Sequence, residues 1–136
     1  VHETFSEEAL LKLKIENPNA KVVAHPECSQ NLLNLADYIG STSKLLDFIS
    51  SDNSTTFMVL TEPGIIHQMK RKEPKKNFIE VPDLEGCKCN ECPYMKLNTL
   101  EKILDCLKNN YPSIELPPEI IEKAYKPIKK MLDMSF

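Results

Sequence analysis

At 136 residues, 41% of them hydrophobic, the chain suits one domain with a moderate core and is too short for two ordinary domains. Its 17 basic and 20 acidic residues leave a net charge of −3, which gives no electrostatic footprint for nucleic acid. The one basic stretch, Lys70-Arg71-Lys72 with Lys75 and Lys76, is interrupted by Glu73 and Pro74 and reads as a solvated helix end.

No apolar run approaches the roughly 20 residues of a membrane span and no secretory leader pattern is present, so the expected setting is cytoplasmic, with no nucleic acid and no membrane as partner. The opening Val1-His2-Glu3 lacks an initiator methionine, and the expectation is a domain cut from a longer protein.

In chain order, Ala9, Leu10 and Leu13 recur with helical spacing after Ser6 and before Pro18, predicting a helix over 6–17 with Ser6 as its N-cap. Lys21-Val22-Val23-Ala24-His25 is a short, nearly unbroken apolar run stopped by Pro26, which predicts a buried strand with His25 at its carboxyl end. A helix over 29–36, a very short strand over 37–40 and a helix over 41–51 follow. Next come a strand over 55–60, a helix over 63–72 and a strand over 77–81. A loop carries the cysteine cluster, and a helix runs from Pro93 to about 109.

Strands alternating with helices predict an α/β fold, a three-layer α/β/α Rossmann-like domain on a short parallel sheet of about four strands. Its expected extent is 1–110. Residues 111–136 read as a helical extension, opened by Pro117 and Pro118 and bent or broken at Pro127, that packs on the domain or on a neighbouring one.

Open parallel sheets collect ligands beyond the carboxyl ends of their strands, and the reactive residue types of this sequence fall there. His25 and Glu27 frame a proline that stiffens the loop; they can hold a carboxylate and move a proton, or stand as a solvated loop pair. Gly40-Ser41-Thr42-Ser43 puts hydroxyls and free N–H groups at a helix start, which suits either an anion or ordinary capping; it lacks the lysine of a nucleotide-triphosphate loop. Thr61-Glu62-Pro63-Gly64 reads as helix-start chemistry.

Five cysteines are present, and Cys87, Cys89 and Cys92 crowd into one short loop. An odd count and tight clustering argue against a disulfide framework, and thiolates at this spacing suit zinc or an iron–sulfur cluster. With Pro93 immediately after it, Cys92 is predicted to stand at a helix N-terminus, where its thiolate is favoured, and it is the leading metal ligand. Cys28 reads as a ligand or a small buried residue, and Cys106 as buried among Ile103, Leu104 and Leu107. His2 has no reading from its local sequence.

Five motifs occur in one order: Val1-His2-Glu3-x-Phe5, Ala24-His25-Pro26-Glu27-Cys28, Ala36-Asp37-Tyr38-Ile39-Gly40-Ser41-Thr42-Ser43, Thr61-Glu62-x-Gly64-Ile65-x-His67 and Cys89-Asn90-Glu91-Cys92-Pro93-Tyr94-Met95-x-x-Asn98. Together the chain resembles the quinolinate synthase family, iron–sulfur enzymes of NAD biosynthesis. The resemblance implies the third of three similar domains, with one cysteine from each holding a [4Fe–4S] cluster, and Cys92 as the ligand from this one. It implies condensation of iminoaspartate with dihydroxyacetone phosphate to quinolinate, phosphate and water, and partnership with the two homologous domains not in this chain.

By the same resemblance His2 and His25 hold substrate oxyanions, Glu27 is a general acid–base, and Ser41 and Thr42 bind substrate carboxylate or phosphate. Family members can carry C-x-x-C-x-x-C in the cysteine loop, where this sequence has C-x-C-x-x-C. The rival reading is a small structural zinc module using Cys87, Cys89, Cys92 and a fourth ligand such as Cys28.

Overall fold

The computed structural model describes residues 1–84 and 90–135. They form two compact units, Val1–Leu97 and Asn98–Phe136. The first holds four parallel strands, β1 (Lys21–Ala24), β2 (Tyr38–Ile39), β3 (Thr56–Leu60) and β4 (Asn77–Glu80), in the order β2-β1-β3-β4. Four helices connect or precede them: α1 (Glu7–Glu16), α2 (Gln30–Asn34), α3 (Thr42–Ser51) and α4 (Gly64–Lys72).

The apolar runs of β1 and β3 are unbroken because both faces of the sheet are covered. Val22, Ala24, Met58 and Leu60 point into one cluster with Leu10 of α1 and Leu32 of α2. Val23, Phe57 and Val59, their alternate neighbours, point into the other with Leu45 and Ile49 of α3 and Ile66 and Met69 of α4. Period-two alternation therefore sorts each strand between two cores, giving the three-layer α/β arrangement. Each fully buried large side chain contributes about 1.5–3 kcal/mol relative to exposure.

Local signals set the element ends. Ser6 caps α1 by accepting from Ala9 N at 3.2 Å. At the sheet edge, Asp37 exchanges two bonds with Val22, its N–H donating to Val22 O at 2.8 Å and its Oδ2 accepting from Val22 N at 2.7 Å. That exchange locks the two-residue strand β2 in register.

The predicted helix from Pro93 is replaced by two pieces. A three-residue 3₁₀ turn, Met95–Leu97, is followed by α5 (Leu100–Asn109), whose N-cap Thr99 accepts from Lys102 N at 3.3 Å. Thr99 is a far better cap than any residue near Pro93, and the helix starts where its first N–H groups are satisfied. Cys92 is thus not at an α-helix N-terminus, and the favouring of its thiolate by a helix dipole lapses.

In the second unit α6 (Pro118–Asp133) passes Pro127 without breaking. Neither α5 nor α6 has a buried residue, and the apolar side chains of Ile103, Leu104, Ile121 and Ile128 remain about half exposed. Among the described residues no helix is long and apolar enough to cross a membrane.

Candidate active site at the sheet switch point

The strand order reverses between β1 and β3. The chain leaves β1 into α2 on one face and leaves β3 into α4 on the other. Diverging connections open a crevice beyond the carboxyl ends of this central pair, the usual ligand position of open α/β sheets. His25 and Glu27 follow β1, and Thr61 and Glu62 follow β3. A bond from His25 N to Leu60 O at 3.0 Å extends the ladder between them.

His2 enters this crevice from the start of the chain, on a 3₁₀ turn spanning His2–Thr4. The next residues are stitched to the strip after β4: Phe5 forms an antiparallel bridge with Asp83, and Ser6 N donates to Pro82 O at 3.0 Å. So anchored, His2 lies with Nδ1 2.9 Å from Glu27 Oε2 and Nε2 3.2 Å from Thr61 Oγ1. Its ring stacks on His25, with centroids 4.2 Å apart and planes 13° from parallel.

The tautomer of His25 is set by its own loop. Glu27 N donates to His25 Nδ1 at 3.3 Å, so Nδ1 is an acceptor and the neutral ring carries its proton on Nε2. The pKa of His25 is held below its ordinary 6.5, first by burial and then by His2, against a smaller opposing pull from Glu27. The sign follows directly: the folded state disfavours the imidazolium, so the stabilisation is present above 6.5 and is lost as pH falls through the depressed value. An NMR titration of the His25 ring is expected to give a midpoint below 6.5, and a midpoint at or above that value would contradict the assignment.

Ligand-type atoms of His2, His25 and Glu27 all lie within 4.8 Å of one another. Imidazole lone pairs lie in the ring plane, however, and the planes here are nearly parallel. They do not converge on one ion as a His–His–carboxylate metal site requires. The arrangement is better matched to oxyanion contact and proton exchange.

A cleft of about 560 Å³ is lined by His2, Thr4, Glu27, Glu62, Cys92 and Met95 among others. Cys92 is a half-buried free thiol here, while Cys87 and Cys89 lie outside the described residues. Glu62 folds back over Gly64, its Oε2 accepting from Gly64 N at 2.7 Å. A Cβ on Gly64 would sit 2.6 Å from that oxygen, so only glycine leaves the carboxylate its place.

Cys28 takes the second of its two readings, a small buried residue. It is 6% exposed within the first core, and its Sγ donates to Leu60 O at 3.5 Å. Burial chiefly pushes its thiol pKa up to about 11, so without a metal it stays protonated. Cys106, expected to be buried, is half-buried on α5.

Ser41 and Thr42 are exposed at the start of α3 and are not among the residues lining the cleft. Ser41 is the N-cap by position but makes no capping hydrogen bond with its side chain. His67 is exposed on α4, beside Leu46 and Arg71 in a separate surface groove. Thr61 and Asn90, the buried polar residues among those described, were not singled out as site residues from sequence. For Thr61 a signal existed, since it directly follows β3, the strand beside the one that His25 follows.

The family model for quinolinate synthetase A protein matches residues 1–133. Among curated relatives, quinolinate synthase of Prochlorococcus marinus (strain MIT 9313) is 66% identical over 134 residues, 98% of this chain and 40% of that protein. Quinolinate synthase of Trichodesmium erythraeum (strain IMS101) is 55% identical over 136 residues, 100% of this chain and 42% of the relative. That of Cyanophora paradoxa is 52% identical over 135 residues, 99% of this chain and 41% of the relative. The chain spans about two-fifths of the length of these relatives. With a match over nearly all of its residues and a sheet-end site carrying the motifs first read from its sequence, the chain belongs to the quinolinate synthetase A protein family.

Proposed function

We propose that the chain is the part of a quinolinate synthase that contributes one cluster ligand and the acid–base groups, acting with two homologous domains to condense iminoaspartate with dihydroxyacetone phosphate to quinolinate. The observation that carries this reading is the meeting of His2, Glu27 and Cys92 in one cleft at the switch point. Residues far apart in sequence do not assemble beyond strand ends by packing demand alone, since none of the three belongs to either core.

The donor set suits an iron–sulfur cluster: Cys92 is a free, half-buried thiol at the cleft, and soft thiolates are the ligands such clusters take. When bound with one iron free of cysteine, a [4Fe–4S] cluster supplies a Lewis acid. Cys92 would hold it from this chain, with the remaining thiolates coming from the other domains.

The chain's own residues then have distinct tasks. His25, neutral with its proton on Nε2, offers a donor to a carboxylate or enolate oxygen without adding charge. Glu27, 72% exposed, accepts a proton from the substrate and returns it to a departing hydroxyl, the exchange that dehydration needs. His2 bridges Glu27 and Thr61, which fixes the carboxylate's orientation and offers it a proton partner at 2.9 Å. Ser41 and Thr42, with an uncapped helix start behind them, bind a substrate carboxylate or phosphate. The reaction and its thiolate chemistry fit a cytoplasmic enzyme.

The test is direct. The full-length protein, purified without oxygen, is expected to contain iron and sulfide and to form quinolinate from the two substrates. Zinc in place of iron, or no quinolinate from iron-loaded protein, would overturn the reading.

A further inference from the structure

Thr4 binds two points of the chain at once. Its carbonyl oxygen accepts from Leu84 N at 2.9 Å, and its hydroxyl donates to Asn90 Oδ1 at 2.8 Å. The chain passes Leu84 on its way out from β4 and reaches Asn90 on its way to Cys92. One residue, two positions after His2, therefore holds the chain on both sides of the cysteine-rich stretch, and it also lines the cleft.

Asn90 is an expensive way to make this joint. It is 7% exposed, and its Nδ2 is buried with no hydrogen-bond partner among the described residues. Burying an amide with unmet donors is costly, whereas an apolar side chain would fill the space without that penalty. The hydroxyl proton of Thr4 also faces a choice, because Val1 O lies 2.8 Å away as well. With the amide turned over, Nδ2 donates to Thr4 Oγ1 and Thr4 donates to Val1 O. The joint survives in both orientations.

We propose that Thr4 and Asn90 are positioning residues whose hydrogen bond sets the Cys92 thiol against His2 and Glu27 across the cleft. Its value to catalysis rests on the function proposed above, but the joint itself rests on the bond alone. Two independent segments meet there, the one bearing His2 and the one bearing Cys92, and a thiol placed from a loop needs such a restraint to keep a fixed distance from groups on the sheet.

The experiment uses the full-length protein stripped of iron, with alkylation of Cys92 by iodoacetamide followed by mass spectrometry of its peptide. Thr4→Val removes the hydroxyl at nearly constant volume and is expected to speed that alkylation about fivefold, the equivalent of one hydrogen bond of about 1 kcal/mol. Thr4→Ser restores the wild-type rate, and Asn90→Ala reproduces the fast one. In iron-loaded protein the same two fast variants lose iron sooner to a chelator, whereas a merely structural role would lower thermal stability and leave Cys92 unchanged. A wild-type alkylation rate in Thr4→Val, or in Asn90→Ala if the first variant does not fold, overturns the proposal, as does a Thr4→Ser protein as reactive as Thr4→Val. Should the wild-type full-length protein hold no iron, the proposed function fails while the alkylation rates still decide the joint.

Discussion

Cys92→Ala in the full-length protein is expected to abolish both the iron–sulfur cluster and quinolinate formation. The thiol is half-buried at a cleft wall and takes no part in either core, so its loss removes a ligand without opening a cavity. Iron and sulfide should fall to background while the unfolding temperature of the iron-free protein stays at the wild-type value. Cys87→Ala and Cys89→Ala are expected to keep the cluster. Cys28→Ala gives the opposite pattern to Cys92→Ala, with iron retained and stability reduced, because that thiol belongs to the first core cluster. Full iron and sulfide in Cys92→Ala would refute the ligand assignment.

Glu27→Gln is expected to lower turnover by roughly 10² or more while the cluster remains, the usual scale for losing a positioned acid–base group. The carboxylate is 72% exposed, so the change leaves packing untouched, and Gln can still accept a hydrogen bond from His2 Nδ1. What it cannot do is take and return a proton. The loss should therefore appear in kcat with little change in KM. Normal turnover in the Gln variant would remove Glu27 from the proton path and leave it a binding role only.

The layered α/β fold was legible because the strands are buried on both faces: Val22-Val23-Ala24 and Phe57-Met58-Val59-Leu60 admit little but a covered parallel sheet. Strand ends were legible too, and with them His25 and Glu27. The resemblance, not the local pattern, supplied His2, because a histidine in a three-residue turn has no period to betray it. Its position in the cleft depends on the bridge between Phe5 and Asp83, a long-range pairing within one unit that no window of sequence contains.

The helix start near Cys92 was misplaced for a different reason. Pro93 is acceptable at a first helical position, but Asn98 and Thr99 offer better capping further on, and the later start prevailed. The Thr61-Glu62-Pro63-Gly64 motif does lead into α4, as its composition suggests, while the hydroxyl of Thr61 also faces back to His2.

The bridge from Phe5 to Asp83 also orders events on the ribosome. Domains generally fold as units as the chain emerges, and the central pair β1–β3 can dock once Leu60 is out. The His2 segment has no edge to join until the strip at Pro82 and Asp83 follows β4. A nascent chain ending before that strip therefore carries Glu27 without its bond to His2, and the grouping of His2, Glu27 and Thr61 is withheld until synthesis has passed β4.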